Sequence, residues 1–270
     1  MQIAPKQKQN GNCTVNDLKF TIDNHVAQAS LTGNCTNSTL KIPGVDGTYA
    51  AAQMHIHTSS EHTIDGVFFG AELHIVHVQT DGNRKAVVGM MIEATNSKNH
   101  EAFESLLEGW AAIANATTAT CPAAETTNST STSRSSSGRK LRRLASSFNV
   151  YDLVPKDSTF YHYDGGLTTP PCSEVVWWNL ADISLSISVS QYNRLTNFIL
   201  EYRDPTTCKY ATVASPSGST SRPTQARNGR VVQRICPSSF SKAEKTSTAN
   251  TQFASNLIFL LAAGITLHII

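Results

Sequence analysis

His55 and His57 stand one residue apart in the apolar stretch Gln53-Met54-His55-Ile56-His57. In a strand, residues i and i+2 point to the same face, so two imidazoles stand side by side with Gln53 on that face. A second apolar run, Val67 to Val78, puts Glu72, His74 and Val76 on one face. Antiparallel pairing of the two runs lets His74 complete a three-nitrogen site. Three neutral imidazoles with one open position suit a catalytic zinc ion rather than a structural one. Gln53 and Glu72 then serve as acceptors that fix the ring tautomers. An isolated His-x-His pair is often chance or packing, and such pairs occur on unrelated folds, so this geometry alone names no enzyme.

Short strands must carry these residues. Leu18 to Ile22, Thr48 to His57, Val67 to Val78 and Lys85 to Glu93 are apolar, often β-branched, and bounded by Gly, Asn and Asp. From His100 to Ala114 the spacing is helical, with Phe103, Leu106, Leu107, Trp110 and Ile113 on one face. Residues 116–147 are Ser/Thr/Ala-rich and end in Arg139-Lys140-Leu141-Arg142-Arg143, which reads as a disordered insertion. The basic run is read as a solvated loop, with a processing site or a contact to an anionic surface as the alternatives. Globular character returns at Phe148 and lasts to about Ile235. One domain over 12–235, split by the insertion, is the economical reading of the 270 residues. A polar stalk follows at 236–252, then an apolar tail at 253–270.

The formal net charge of +2 gives no reason to expect a nucleic acid or an acidic partner. Six cysteines (Cys13, Cys35, Cys121, Cys172, Cys208, Cys236) without a C-x-x-C pair argue against a cysteine zinc site and allow disulfides. Asn-x-Ser/Thr acceptors at Asn12, Asn34, Asn37, Asn115 and Asn128 fit a secreted glycoprotein. The apolar tail follows the small residues Ser247 to Asn250, which is the pattern of a GPI-attachment signal. A membrane segment or a buried terminal helix are the other readings. Met1 to Gly11 is polar and carries no secretory leader, so the sequence is expected to begin inside a longer protein found outside the cell or on its surface.

The wording around the histidines is more specific than their spacing. His55-Ile-His57-Thr-Ser-Ser-Glu61-His62, followed by Ala71-Glu72-Leu73-His74-Ile-Val76-His77, resembles the signature of the alpha carbonic anhydrases. Gly166-Leu167-Thr168-Thr169-Pro170-Pro171-Cys172 resembles that family's second signature, with Trp178 after it. Arg222-Pro223-Thr-Gln225 with Asn228-Gly229-Arg230 resembles its C-terminal motif. The resemblance implies a mainly β (α+β) fold: a large, twisted, mostly antiparallel sheet with short peripheral helices.

It also implies the reversible hydration of carbon dioxide to bicarbonate and a proton by hydroxide on Zn2+, with His55, His57 and His74 as ligands. Gln53 and Glu72 would support the ligands. Thr168 would hold the hydroxide and give its own proton to Glu61. Val76, Val87, Leu167, Thr169, Val176 and Trp178, with Thr168, would line the substrate pocket. His25, thirty residues before His55, matches the family's proton shuttle. His62 and His77 match internal structural histidines. The rival reading is an inactive related domain that binds partners.

Three departures stand out. The family's Gln-Ser-Pro segment and upstream cysteine are missing, which leaves Cys172 without its usual partner unless Cys13 replaces it. Thr58 and Val78 stand where tryptophan is common. Thr220 replaces the usual Asn before Arg-Pro.

Overall fold

The computed structural model describes residues 6–7, 13–95, 98–121, 147–235 and 267–268. Its centre is an 11-stranded sheet. In chain order the strands are β1 (Lys6–Gln7), β2 (Leu18–Ile22), β3 (Ala27–Leu31), β4 (Ser38–Leu40) and β5 (Tyr49–Thr58). Then come β6 (Thr63–Ile64), β7 (Ala71–Gln79), β8 (Lys85–Thr95), β9 (Phe160–Gly165), β10 (Val176–Ala181), β11 (Leu185–Ser188), β12 (Gln233–Ile235) and β13 (Leu267–His268). The main path runs β1-β4-β5-β7-β8-β10-β9-β12, with β3 on β5, β2 on β3 and β11 on β8. Pairing is antiparallel except where β10 and β11 lie parallel to β8. β6 and β13 form a separate two-stranded ladder.

β5, β7 and β8 are the middle of the sheet because their side chains are buried on both faces, as central strands must be. On one face Met54, Ile56, Leu73, Ile75, Val88, Met90 and Ile92 join the main core. On the other face Val76, Val87, Met91, Val176 and Trp178 form a smaller apolar cluster.

β5 changes phase along its length. Its register with β7 shifts between Ala51 and Gln53, so the extra residue Ala52 is a bulge. Tyr49 and Ala51 face the main core before the bulge. After it Met54 and Ile56 do so, which leaves Gln53, His55 and His57 on the opposite face.

Two helices cover the main core. α1 (Glu101–Thr120) buries Phe103, Leu106, Leu107 and Trp110 completely. The His100 ring caps it by accepting from the Phe103 N–H. α2 (Val189–Leu200) starts at a capping box in which the Ser188 and Gln191 side chains bond each other's backbone. With its 20 residues, α1 is not the short helix that the sequence suggests, and it continues past Ala114 into residues read as insertion. Thr117 donates from its hydroxyl to Ile113 O and lies beside the Tyr202 hydroxyl, and Cys121 is bonded to Cys208, so tertiary contacts hold this Ala/Thr-rich turn. The rest of the insertion, the stalk, most of the tail, and Asn12 and Asn128 lie outside the described residues.

Cys13 pairs with Cys35, not with Cys172, because the Thr14 and Gly33 turns bring the first two together; Cys172 is free. Cys121–Cys208 spans 87 residues of sequence. Replacing both by Ser is expected to cost about 2–5 kcal/mol, since a long loop regains its freedom in the unfolded chain. The denaturant midpoint measures this, and an unchanged midpoint would count against it. Among the described residues no helix is long and apolar enough to cross a membrane.

Candidate metal centre

The β5–β7 register sets His55 opposite His74 and His57 opposite Glu72. The three imidazoles meet on the bulge-selected face, with ring centroids 5.0 Å apart for His55–His57 and His55–His74, and 5.3 Å apart for His57–His74. One nitrogen from each lies within 4.8 Å of the others. His57 and His74 are buried, and His55 is half-buried at the open side.

Hydrogen bonds decide which nitrogens face inward. His55 donates from Nδ1 to Gln53 Oε1 at 2.8 Å, leaving Nε2. His74 donates from Nε2 to Glu72 Oε1 at 2.7 Å, leaving Nδ1. Those two remaining nitrogens stand 3.1 Å apart. Two lone pairs that close repel unless a positive centre sits between them. His57 adds two buried ring nitrogens with no hydrogen-bond partner, and Glu61 Oε2, 3.5 Å from His57 Nε2, has none either. A divalent cation held by His55 Nε2, His74 Nδ1 and one His57 nitrogen would remove that repulsion. The residues therefore fit zinc, whose preferred ligands include neutral imidazole.

The electrostatics agree. Burial, then the neighbouring His74 and His57, keep His55 well below the usual histidine value. Burial and His74 push His57 down to about 3, so both rings are neutral donors. Burial also pulls His74 down, but Glu72 and then Glu61 more than offset it and leave it raised. Burial pushes the Glu61 carboxyl up, while His74, the Arg222 N–H and the Thr168 hydroxyl pull the other way.

Glu72 is the hub beneath the histidines. Its carboxylate accepts from the Glu61 and His62 N–H groups at 2.9 and 2.8 Å, from His62 Nδ1 at 2.6 Å and from His74 Nε2. His62 is bonded in turn to the Tyr163 hydroxyl at 2.6 Å. Across the ladder from His74 stands Gly89, where a Cβ would come within 2.9 Å of Leu180 and 3.3 Å of Glu72 Oε1. Its lack of a side chain keeps the pair in place. Gly89 and Tyr163 escape the sequence reading; the signal available was a glycine inside an otherwise apolar strand.

The remaining candidates surround this centre. Val76, Val87, Val176 and Trp178 form one apolar wall, with Leu167 packed against it and the Trp178 ring 4.9 Å from the His74 ring. Thr168 and Thr169 are half-buried in the loop before Pro170, and Thr168 reaches the Glu61 carboxyl. His25 is partly exposed, its ring centroid 6.0 Å from that of His57. His77 lies on the core face, bonded to Ala86 O and to the Tyr151 hydroxyl.

The family model for eukaryotic-type carbonic anhydrase matches residues 3–236. Human carbonic anhydrase 6 is 30% identical over 250 residues, which cover 85% of this chain and 67% of that protein. Mouse carbonic anhydrase 4 is 33% identical over 159 residues, 53% of this chain and 44% of that protein. The chain thus spans less than half the length of the mouse relative. A hyperthermostable carbonic anhydrase from a hydrothermal vent chimney superposes with a TM-score of 0.55 at 26% identity, over 86% of this chain and 82% of that one.

Proposed function

Because this chain belongs to the eukaryotic-type carbonic anhydrase family, we propose that it interconverts carbon dioxide and bicarbonate at a zinc ion held by His55, His57 and His74. The observation that carries the reading is the 3.1 Å approach of two imidazole nitrogens whose protons are committed elsewhere. A zinc ion bound there would supply Lewis acidity, lowering the pKa of a water toward neutrality and so making a nucleophile available at neutral pH.

The chain's own residues do the rest. Gln53 and Glu72 hold two rings in the ligating tautomer. Thr168, once it gives its proton to Glu61, has only lone pairs left for the attacking oxygen, and so orients it. Val76, Val87, Leu167, Val176 and Trp178 offer a nonpolar wall to a nonpolar substrate, beside Thr169. His25 takes the departing proton and hands it to buffer, a task suited to imidazole near neutral pH.

The two disulfides fit an oxidising, extracellular compartment. In this reading the tail at 253–270 directs attachment to the cell surface through a lipid.

The test is carbon dioxide hydration by purified protein before and after a zinc chelator. Activity should vanish with the chelator and return with zinc; zinc-loaded protein without hydration activity would refute the proposal. His25→Ala should slow turnover by on the order of 10²-fold, the scale of general acid–base assistance. Small imidazole buffers should restore it, and no slowing at all would remove the relay role.

A further inference from the structure

Tyr163 on β9 and Trp178 on β10 belong to the apolar cluster on the histidine side of the sheet. Strand alternation turns their neighbours His162, Asp164, Trp177 and Asn179 to the far face. The β9–β10 register sets His162 opposite Asn179 and Asp164 opposite Trp177. The Asn179 amide nitrogen donates to Val87 O at 3.3 Å and to Trp177 O at 3.1 Å. Those two carbonyls only accept, so it is the amide oxygen that faces His162 Nδ1, 2.9 Å away. The neutral His162 ring therefore carries its proton on Nδ1 and presents a lone pair at Nε2. Among the described residues nothing donates to Nε2, although His162 is only 7% exposed. A buried acceptor without a donor is destabilising.

What remains accessible of His162 opens onto a cavity of about 490 Å³, a size that suits small organic molecules. Pro43, Val45 and Trp177 give it apolar walls, and the largely exposed Val231 stands at its mouth. The His162 ring is stacked on Trp177, with centroids 5.4 Å and planes 18° apart. The Arg84 guanidinium lies over the same indole, 4.1 Å from its centroid, and steadies that wall. The charges at the edge are matched, since Asp164 is paired with Arg84, and Arg230 with Glu174 at 3.3 Å. Such a cavity favours a neutral, flat, apolar molecule that carries one strong donor. A phenol meets each condition: its ring is planar, and its O–H gives up a hydrogen bond more readily than an alcohol's.

We propose that this cavity is a binding site for a small phenol, whose hydroxyl donates to His162 Nε2 while its ring lies against Trp177 and Pro43. The site lies on the opposite face of β9 and β10 from the three-histidine centre and does not depend on the zinc reading.

Equilibrium dialysis of 2-naphthol against the full chain tests this, with 2-methoxynaphthalene as a probe that keeps the rings but has no O–H. 2-Naphthol should bind saturably, and equally with and without a zinc chelator. The methoxy compound should bind about 10-fold more weakly, the scale of one hydrogen bond lost at a buried acceptor. His162→Phe keeps a ring on Trp177 but removes Nε2; it should lower 2-naphthol affinity by about the same factor and erase the difference between the probes. Val231→Asp places a charge at the apolar mouth, on a side chain already 69% exposed, so the fold should survive while 2-naphthol affinity falls about 10-fold. Thermal unfolding shows which variants are folded. A chain that binds no 2-naphthol, that binds both probes alike, or that binds only when zinc is present overturns the proposal. So does a folded His162→Phe with the affinity of the unaltered chain. Should His162→Phe not fold, undiminished affinity in Val231→Asp overturns it equally.

Discussion

His74→Ala protein is expected to emerge from purification without zinc and without carbon dioxide hydration activity. The substitution removes one of three inward nitrogens, so the loss of affinity should exceed the ~10–100-fold that follows when a ligand merely loses its hydrogen-bond partner. The fold should survive. The β7 backbone keeps its ladder bonds to β5 and β8, and Glu72 keeps three of its four donors: the Glu61 and His62 N–H groups and His62 Nδ1. Metal analysis by mass spectrometry is the direct measurement. Full zinc occupancy in a folded His74→Ala protein would remove His74 from the centre.

Glu72→Gln should be the more damaging change to the protein as a whole. Burial pushes the Glu72 carboxyl up, but His62 and His74 beside it overcome this and hold it well below the usual carboxylate range. It is an anion that receives four N–H donors. A glutamine of the same shape must turn an NH2 group toward one pair of them. Turned toward the backbone pair, it opposes donor to donor. Turned toward the imidazoles, it requires His74 to accept at Nε2 and to carry its proton on Nδ1, the nitrogen that faces the other histidines. Stability should fall by about 3–5 kcal/mol, as when a buried charge pair loses one member. Zinc affinity should drop by about 10–100-fold.

The acid limb gives a second readout. Because the folded-state pKa of Glu72 is depressed, its contribution is present above the unfolded carboxylate value of about 4.3 and is lost as pH falls toward the folded value. The variant should lack that part of the acid dependence. Urea midpoints at pH 7 and pH 4 measure both effects, and a variant as stable and zinc-avid as the parent would contradict the hub role of this carboxylate.

Much of this architecture can be read from local pattern. Leu18–Ile22 is found where alternation and bounding polar residues place it, because a half-buried strand writes its period into the sequence. The convergence of His55, His57 and His74 is legible for the same reason: strand parity fixes faces, and the two runs are close enough to pair. What sequence period cannot carry is contact between distant residues. The Cys13–Cys35 and Cys121–Cys208 pairs are one combination among many. The last turns of α1 look like linker because Ala and Thr carry no apolar stripe; their anchors, Tyr202 and Cys208, lie more than eighty residues away. Thr58 and Thr220 each look like an isolated departure from a family pattern, yet they bond to each other. Tyr163 joins the centre only through His62, a relation no spacing rule states.

The bulge at Ala52 has a further consequence for how β5 tolerates change. Counting along the strand by twos gives opposite answers on its two sides. At position 50 a larger or polar side chain projects away from the main hydrophobic layer; at positions 54 and 56, of the same parity, it would be driven into it. Removing the single residue Ala52 would make the ladder regular, with Ala51 still opposite His77 and Gln53 still opposite Val76 and every side chain on its present face; removing Met54 instead would put His55 and His57 out of step with β7 and turn both imidazoles toward the oily interior. A scan of one-residue deletions across 49–58 should therefore find Ala52 the most tolerated position, and should meet its sharpest loss of soluble protein between Gln53 and His57.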